Sequence, residues 1–220
     1  NIFVIGISGE RTALFYALLT IILCIISKVS LRKIILVSTT FSLLALSYII
    51  TTNEFVKERV FQETTNQIQN TLKGDYILSK YHTAHYNSAI KMFKDNPLFG
   101  VGPRNFRFEC NKDKYFSKYS CSTHPHNTYI QLLSETGILS TLMVFLLFFF
   151  CCFKILEILF LKNNETMPQI EFLLYVSIFI SLWPFAPTGN FFNNWLNVIY
   201  FLPLPFLAYI NEKNKNLTSM

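Results

Sequence analysis

Leu139-Ser140-Thr141-Leu142-Met143-Val144-Phe145-Leu146-Leu147-Phe148-Phe149-Phe150-Cys151-Cys152-Phe153 decides the fold. The run carries no charge. A soluble domain of 220 residues cannot bury such stretches when 51% of the chain is hydrophobic, 15% is charged and 23 residues are Phe. Its solvent is therefore a bilayer. A helix rises about 1.5 Å per residue, so the apolar segment 138–161 is long enough to cross about 30 Å of hydrocarbon.

On the C-terminal side, the polar turn Lys162-Asn163-Asn164-Glu165 separates this span from a second at 170–187. A break rich in Pro, Gly and Asn leads to a third at 196–210, followed by the polar tail 211–220. Pro184, Pro187, Gly189, Pro203 and Pro205 make these last two the least regular. On the N-terminal side, two further spans, 12–29 and 34–52, flank a tight basic turn with Lys28, Arg32 and Lys33. The chain opens at Asn1 on the apolar stretch from Ile2 to Ile7, which reads as the C-terminal part of a longer membrane protein. The expectation is an all-α polytopic membrane helix bundle of five spans: a hairpin in 1–52, a large loop in 53–137, and three spans in 138–210.

Charge sets the orientation. Lys28, Arg32, Lys33, Lys154, Lys162, Lys213 and Lys215 fall at ends that share one side, which the positive-inside rule makes cytoplasmic, so the loop 53–137 lies on the periplasmic side. Trp183 and Trp195 fall near the outer interface. The formal net charge of +6 is spread over loops without a dense cluster, which argues against nucleic acid as a partner. A transporter would carry ionisable residues in its spans, and these hold almost none beyond Lys154 and Glu157.

The loop carries all four histidines. Tyr86, Ala89, Ile90 and Phe93 recur at helical spacing, predicting a short amphipathic helix over 85–94 that stops at Asn96-Pro97. Gly100-Val101-Gly102-Pro103 makes a tight turn that brings Arg104 and Arg107 back toward that helix. Cys110 and Cys121 are either two free thiols or, in an oxidising compartment, a disulfide worth about 3 kcal/mol by loop entropy. Cys24, Cys151 and Cys152 lie inside spans as small packing residues.

Thr123-His124-Pro125-His126-Asn127-Thr128-Tyr129 is the candidate site. Pro125 disfavours helix at His124, and Asn127 is a good N-cap for a helix from Thr128 to Thr136 that leads through Gly137 into the span at 138–161. His126 then sits at the positive end of a helix, where the neutral imidazole is favoured and suits a general base. A capping or hydrogen-bonded structural histidine is the alternative. His82-x-x-His85 with His124-x-His126 would supply four imidazoles to a metal, although no carboxylate falls nearby to orient them. A metal-dependent membrane hydrolase is the function that pattern would serve.

Asn96-Pro97-Leu98-Phe99-Gly100-Val101-Gly102-Pro103, followed by His124-Pro125-His126-Asn127-Thr128-Tyr129-Ile130-Gln131-Leu132-Leu133-Ser134-Glu135-Thr136-Gly137, resembles the C-terminal region of the O-antigen ligase and polymerase family of bacterial membrane glycosyltransferases. The resemblance implies an inner-membrane enzyme whose active site lies where a periplasmic loop meets the bilayer. It implies inverting, metal-independent transfer without a cofactor, from a polyprenyl-diphosphate-linked glycan such as an undecaprenyl diphosphate to a glycan or lipid A-core acceptor. Polymerase and protein O-glycosyltransferase members share these motifs. His126 is the implied base, with His124, Asn127 and Gly137 in support. Arg11, within Ser8-Gly9-Glu10-Arg11, is similar in context to the family arginine that contacts the diphosphate; by itself it reads as an interfacial snorkelling residue. Relatives often carry a second arginine before the loop helix, where this chain has Lys80-Tyr81-His82-Thr83-Ala84-His85. Lys80, His82 or His85 fills that place, or Arg104 or Arg107 folds back to do so.

Overall fold

The computed structural model describes residues 2–8, 10–27, 30, 32–74, 76, 78–160 and 169–218. Gly9, Lys28 and the turn Lys162-Asn163-Asn164-Glu165 lie outside the described residues, as does the side chain of Lys215. Every regular element among the described residues is helical, and the chain divides into two compact units, 1–79 and 80–220.

In the first unit, α1 is Ile2–Ser8, α2 Arg11–Ile26 and α3 Arg32–Thr52. Neither α2 nor α3 contains Gly or Pro, so nothing interrupts its apolar run. α1 crosses α3 at Gly6, where a Cβ would meet the Leu46 side chain at 2.5 Å. Ile34, Val37, Phe41 and Leu44 of α3 are exposed, an arrangement stable only in lipid or under a further helix. Asn53 joins α3 to α4 (Glu54–Lys57); its amide still donates to the Ile49 carbonyl at 2.8 Å while its Oδ1 accepts from Val56 N at 3.3 Å. A π-turn at Glu58–Gln62 then leads into α5, Glu63–Leu72.

The second unit comprises α6 (Lys80–Asp95), α7 (Phe106–Glu109), α8 (Thr128–Phe160), α9 (Gln169–Ser181), α10 (Asn194–Phe201) and α11 (Pro203–Thr218). The expected amphipathic helix is present in α6 and extends back to Lys80. Its buried face, with Ala89 and Met92, meets Phe106, Cys110 and Tyr115 to form a core under the loop. Cys110 and Cys121 are joined, with Cα atoms 5.2 Å apart.

Gly100 and Gly137 fit each other's chain. Gly100, at φ 65°, lies against the Glu135 carbonyl group, and Gly137, at φ 76° and ψ −173°, lies against the Leu98 carbonyl, so a Cβ at either position meets backbone. Val101 N donates to Ser134 O, Gly102 N to Glu135 O and Ile138 N to Pro97 O, each at 2.9 Å. The two stretches of sequence that carry the family resemblance are thus stitched together through backbone. Gly137 also turns a corner inside α8. Residues 129 and 145 would lie about 24 Å apart along a straight helix, yet their rings are 5.3 Å apart. The segment 128–136 therefore folds back over the start of 138–160.

Two of the five expected spans, α3 and the long arm of α8, are long and apolar enough to cross a membrane. α2 and α9 are apolar but shorter. The segment expected as one span at 196–210 is divided at Leu202: α10 ends at Phe201 and Pro203 opens α11, because proline can begin a helix but not continue one. α9 packs on α8 through Phe148 stacked on Phe179, with Trp183 closing the pair edge-on.

Candidate active site

Asn127 organises the site. Its Oδ1 accepts from Tyr129 N at 3.0 Å and Ile130 N at 3.1 Å, capping α8, while its Nδ2 donates to the Pro184 carbonyl at 2.8 Å. One side chain therefore ties the start of α8 to the segment after α9. Thr188 does the same by its backbone: its N–H donates to His126 O at 3.0 Å, and its Oγ1 accepts from Thr128 Oγ1 at 3.0 Å. Held between these contacts, His126 adopts a left-handed backbone at φ 61°, uncommon outside glycine. A non-glycine residue in that region stores about 1–3 kcal/mol of strain, which must be over-determined by its surroundings.

Three histidines surround it. The ring centroid of His126 lies 4.2 Å from that of His124, 5.3 Å from His85 and 5.9 Å from His82. The cluster thus joins the first turns of α6 to the segment before α8. Burial pushes all four imidazoles below the ordinary histidine range. For His85 it lowers the pKa to about 4, helped by repulsion from His126, His82 and His124. For His124 it does so to about 4, helped by His126 and opposed by the bond to Thr188, with the Arg107 guanidinium adding a smaller push downward. His82 is lowered by burial and then by His126, whereas the lowering of His126 comes from burial alone. Repulsion from His126 thus adds to burial at each of its three neighbours.

Hydrogen bonds separate the two histidines of the motif. His124 Nε2 is 3.2 Å from the Thr188 carbonyl, which only accepts, so Nε2 carries the proton. Its Nδ1 must then accept from Thr123 Oγ1 at 2.9 Å, and no lone pair remains for chemistry. Among the described residues the His126 ring makes one hydrogen bond, between Nε2 and Ser122 Oγ at 3.0 Å. Its Nδ1 has no hydrogen-bond partner among the described residues. Both nitrogens of His124 are engaged, and among the described residues no three His, Cys, Asp or Glu side chains are disposed to hold a metal ion.

Of the candidate cations, Arg107 reaches His124 electrostatically and its Nε is buried without a hydrogen-bond partner among the described residues. His85 Nδ1 is likewise buried without a hydrogen-bond partner among the described residues. Arg104 is exposed, with a left-handed backbone at φ 63°, and its side chain makes no ion pair among the described residues. Arg11, in the first unit, contacts Glu63 at 3.9 Å and Thr64 Oγ1 at 3.3 Å. Gly137 stands apart from the cluster, at the corner of α8.

Several residues of the site had no role assigned from the sequence. Gln131 is fully buried and donates through Nε2 to Glu135 Oε2 and Asn190 Oδ1, both at 2.8 Å, while its Oε1 accepts from Phe191 N at 2.9 Å. Glu135, equally buried, accepts from Phe106 N at 2.8 Å through Oε1. The network locks α7, and with it Arg107, to α8 and to the segment that carries Thr188. Ser122 and Thr188 touch the histidines directly and lie outside any spacing pattern.

A family model described as O-Antigen ligase matches residues 1–145 of this chain. No curated protein and no solved structure matches it.

Proposed function

The chain belongs to the O-antigen ligase family, membrane proteins of the glycosyltransferase type that act on glycans and lipid-linked substrates, and on that premise we propose that His126 is the general base of an inverting glycosyl transfer. The donor is a glycan on a polyprenyl diphosphate, and the acceptor is a sugar hydroxyl on the periplasmic face of the inner membrane. The acceptor O–H proton passes to His126 Nδ1 as its oxygen bonds to the anomeric carbon, and the bond from that carbon to the carrier diphosphate breaks. In the tautomer whose Nε2–H donates to Ser122 Oγ, Nδ1 is free to accept. Arg11 keeps the diphosphate contact that the resemblance implies, and Arg107 is the second cation, favoured over Arg104 by its position against His124. His82 and His85, neutral at pH 7, donate hydrogen bonds to the leaving group rather than charge. No resident metal or cofactor enters these steps.

The observation that carries the reading is the asymmetry between the two histidines of the motif: His124 engages both ring nitrogens, whereas His126 engages only Nε2 among the described residues. We take ligase chemistry, with a lipid A-core acceptor, as the first reading, and polymerase or protein O-glycosylation as the alternatives that members sharing these motifs carry out. Inactivating the gene and separating surface polysaccharide on a gel tests it. Loss of all long chains from lipid A supports ligase activity, and accumulation of single-repeat products reassigns the enzyme to polymerisation. An unchanged ladder contradicts the proposal.

A further inference from the structure

Beside the histidines lies a feature the mechanism does not use. Tyr81, on the first turn of α6, and Tyr119, in the turn after Ser117, bring their rings within 4.9 Å of each other in an edge-on pair, although 38 residues separate them in sequence. Both stay open to solvent, Tyr81 at 48% and Tyr119 at 41% exposure, whereas an aromatic pair serving the core would be covered. Tyr119 is pre-positioned. Ser117 N donates to Ser120 Oγ and Ser120 N to Ser117 O, both at 2.9 Å, which holds Tyr119 at φ 70°, and the Cys110–Cys121 link anchors the turn from behind. Lys80 Nζ stands 5.2 Å from the Tyr81 ring and 5.0 Å from the Tyr119 ring, and Lys118 Nζ stands 5.2 Å from Tyr119. Neither lysine forms an ion pair among the described residues, whereas Lys112 and Lys114 pair with Glu109 and Asp95.

We propose that Tyr81 and Tyr119, flanked by Lys80 and Lys118, form a subsite for a carboxylate-bearing sugar of the glycan chain. The inference rests on the reading of the chain as a glycosyltransferase. A pyranose has one face of polarised C–H groups, which suits the negative face of an aromatic ring, and its hydroxyls stay in water around an exposed platform. The lysines already resting over the rings show that these faces attract positive charge. Their flexible stems let them swing from the ring to a sugar carboxylate, so the pair selects an acidic residue over a neutral one. The segments that carry the platform also carry the histidine site: Tyr81 precedes His82, whose ring is 5.9 Å from that of His126, and Tyr119 is three residues before Ser122.

The test is binding of soluble trisaccharides to the full chain in phosphatidylcholine nanodiscs, followed by saturation-transfer NMR at about 0.1 M salt. Methyl-capped trigalacturonate is expected to bind at least about fivefold tighter than maltotriose. Tyr81→Leu and Tyr119→Leu should each weaken both sugars at least about threefold, whereas Tyr81→Phe and Tyr119→Phe should leave them unchanged. Lys80→Gln with Lys118→Gln should abolish the preference for the charged sugar and retain maltotriose binding. A second arm compares trigalacturonate 1-phosphate with the methyl glycoside. Tighter binding of the phosphate assigns the platform to the donor glycan and equal binding assigns it to the acceptor, and both uphold the subsite. Equal affinity for charged and neutral sugars, Leu variants that bind like the parent, or no binding of trigalacturonate at about 10 mM overturns it. The subsite is read from sugar binding and the base assignment from glycan transfer, so failure of one and failure of the other are told apart.

Discussion

Replacing Gly137 by Ala asks whether the corner of α8 is closed by backbone contact with the turn at residues 96–103. At φ 76° and ψ −173° the position is in a region almost reserved for glycine, and occupying it with Ala costs about 1–3 kcal/mol. The new Cβ also meets the Leu98 carbonyl and Phe99 N, which are backbone and cannot swing aside, adding about 1–3 kcal/mol of overpacking. Gly102→Ala is the control. Its φ of 100° carries a similar conformational penalty, but its Cβ meets only the end of the Asn105 side chain, which can move. The difference between the two variants isolates the backbone crossing and should be about 2 kcal/mol, or about 4–8 °C in thermal midpoint for a chain of this size. Thermal unfolding of detergent-purified protein, followed by circular dichroism, gives both midpoints. If Gly137→Ala unfolds no lower than Gly102→Ala, the corner is not held by this contact and the coupling of the two motif stretches fails with it.

The remaining predictions concern the histidines and their supports. His85 and His124 have pKa values of about 4 in the folded state and about 6.5 when unfolded. As pH falls the unfolded chain takes up protons first, so stability is full above about pH 6.5 and declines between about pH 6.5 and 4, by a few kcal/mol in order of magnitude. Thermal midpoints measured from pH 7.5 to 4 should drop across that window, and a flat profile contradicts the burial of neutral imidazoles. Asn127→Ala removes the cap of α8 and the bond to Pro184 together and should lower stability by about 2 kcal/mol, read as a loss of about 4–8 °C in midpoint. Ser122→Ala leaves the tautomer of His126 unspecified; transfer should fall about tenfold with the midpoint unchanged, and full activity would show that Ser122 does not orient the ring.

What the sequence disclosed and what it withheld divide along physical lines. The long arm of α8 and α3 were legible because an uncharged apolar run has one stable environment, and Asn127 was legible as a cap because capping is local. The helix 54–72 carried no expectation: its Glu, Gln and Thr favour or tolerate helix without marking an apolar face along most of its length. Gly137 was expected to pass smoothly into the span. Its corner depends on the Leu98 carbonyl, 39 residues away in sequence, which no local pattern encodes. The same limit applies to the site. His82 and His85 share a helix face, and His124 and His126 share a segment, but their meeting depends on the core of Ala89, Met92, Phe106 and Cys110. Thr188 and Asn190 act through a backbone N–H, a carbonyl and one amide some sixty residues from their partners, contacts that leave no periodicity behind.

The central claim is that His126, and not His124, accepts the acceptor's proton. The measurement that tests it most directly is glycan transfer in reconstituted vesicles carrying a lipid-linked donor and acceptor, comparing His126→Ala with His124→Ala at matched folded fraction. Removing the base should cut transfer by at least about a hundredfold, with helicity and thermal midpoint retained, while His124→Ala should act mainly through stability. Transfer by His126→Ala within about tenfold of the parent would contradict the account.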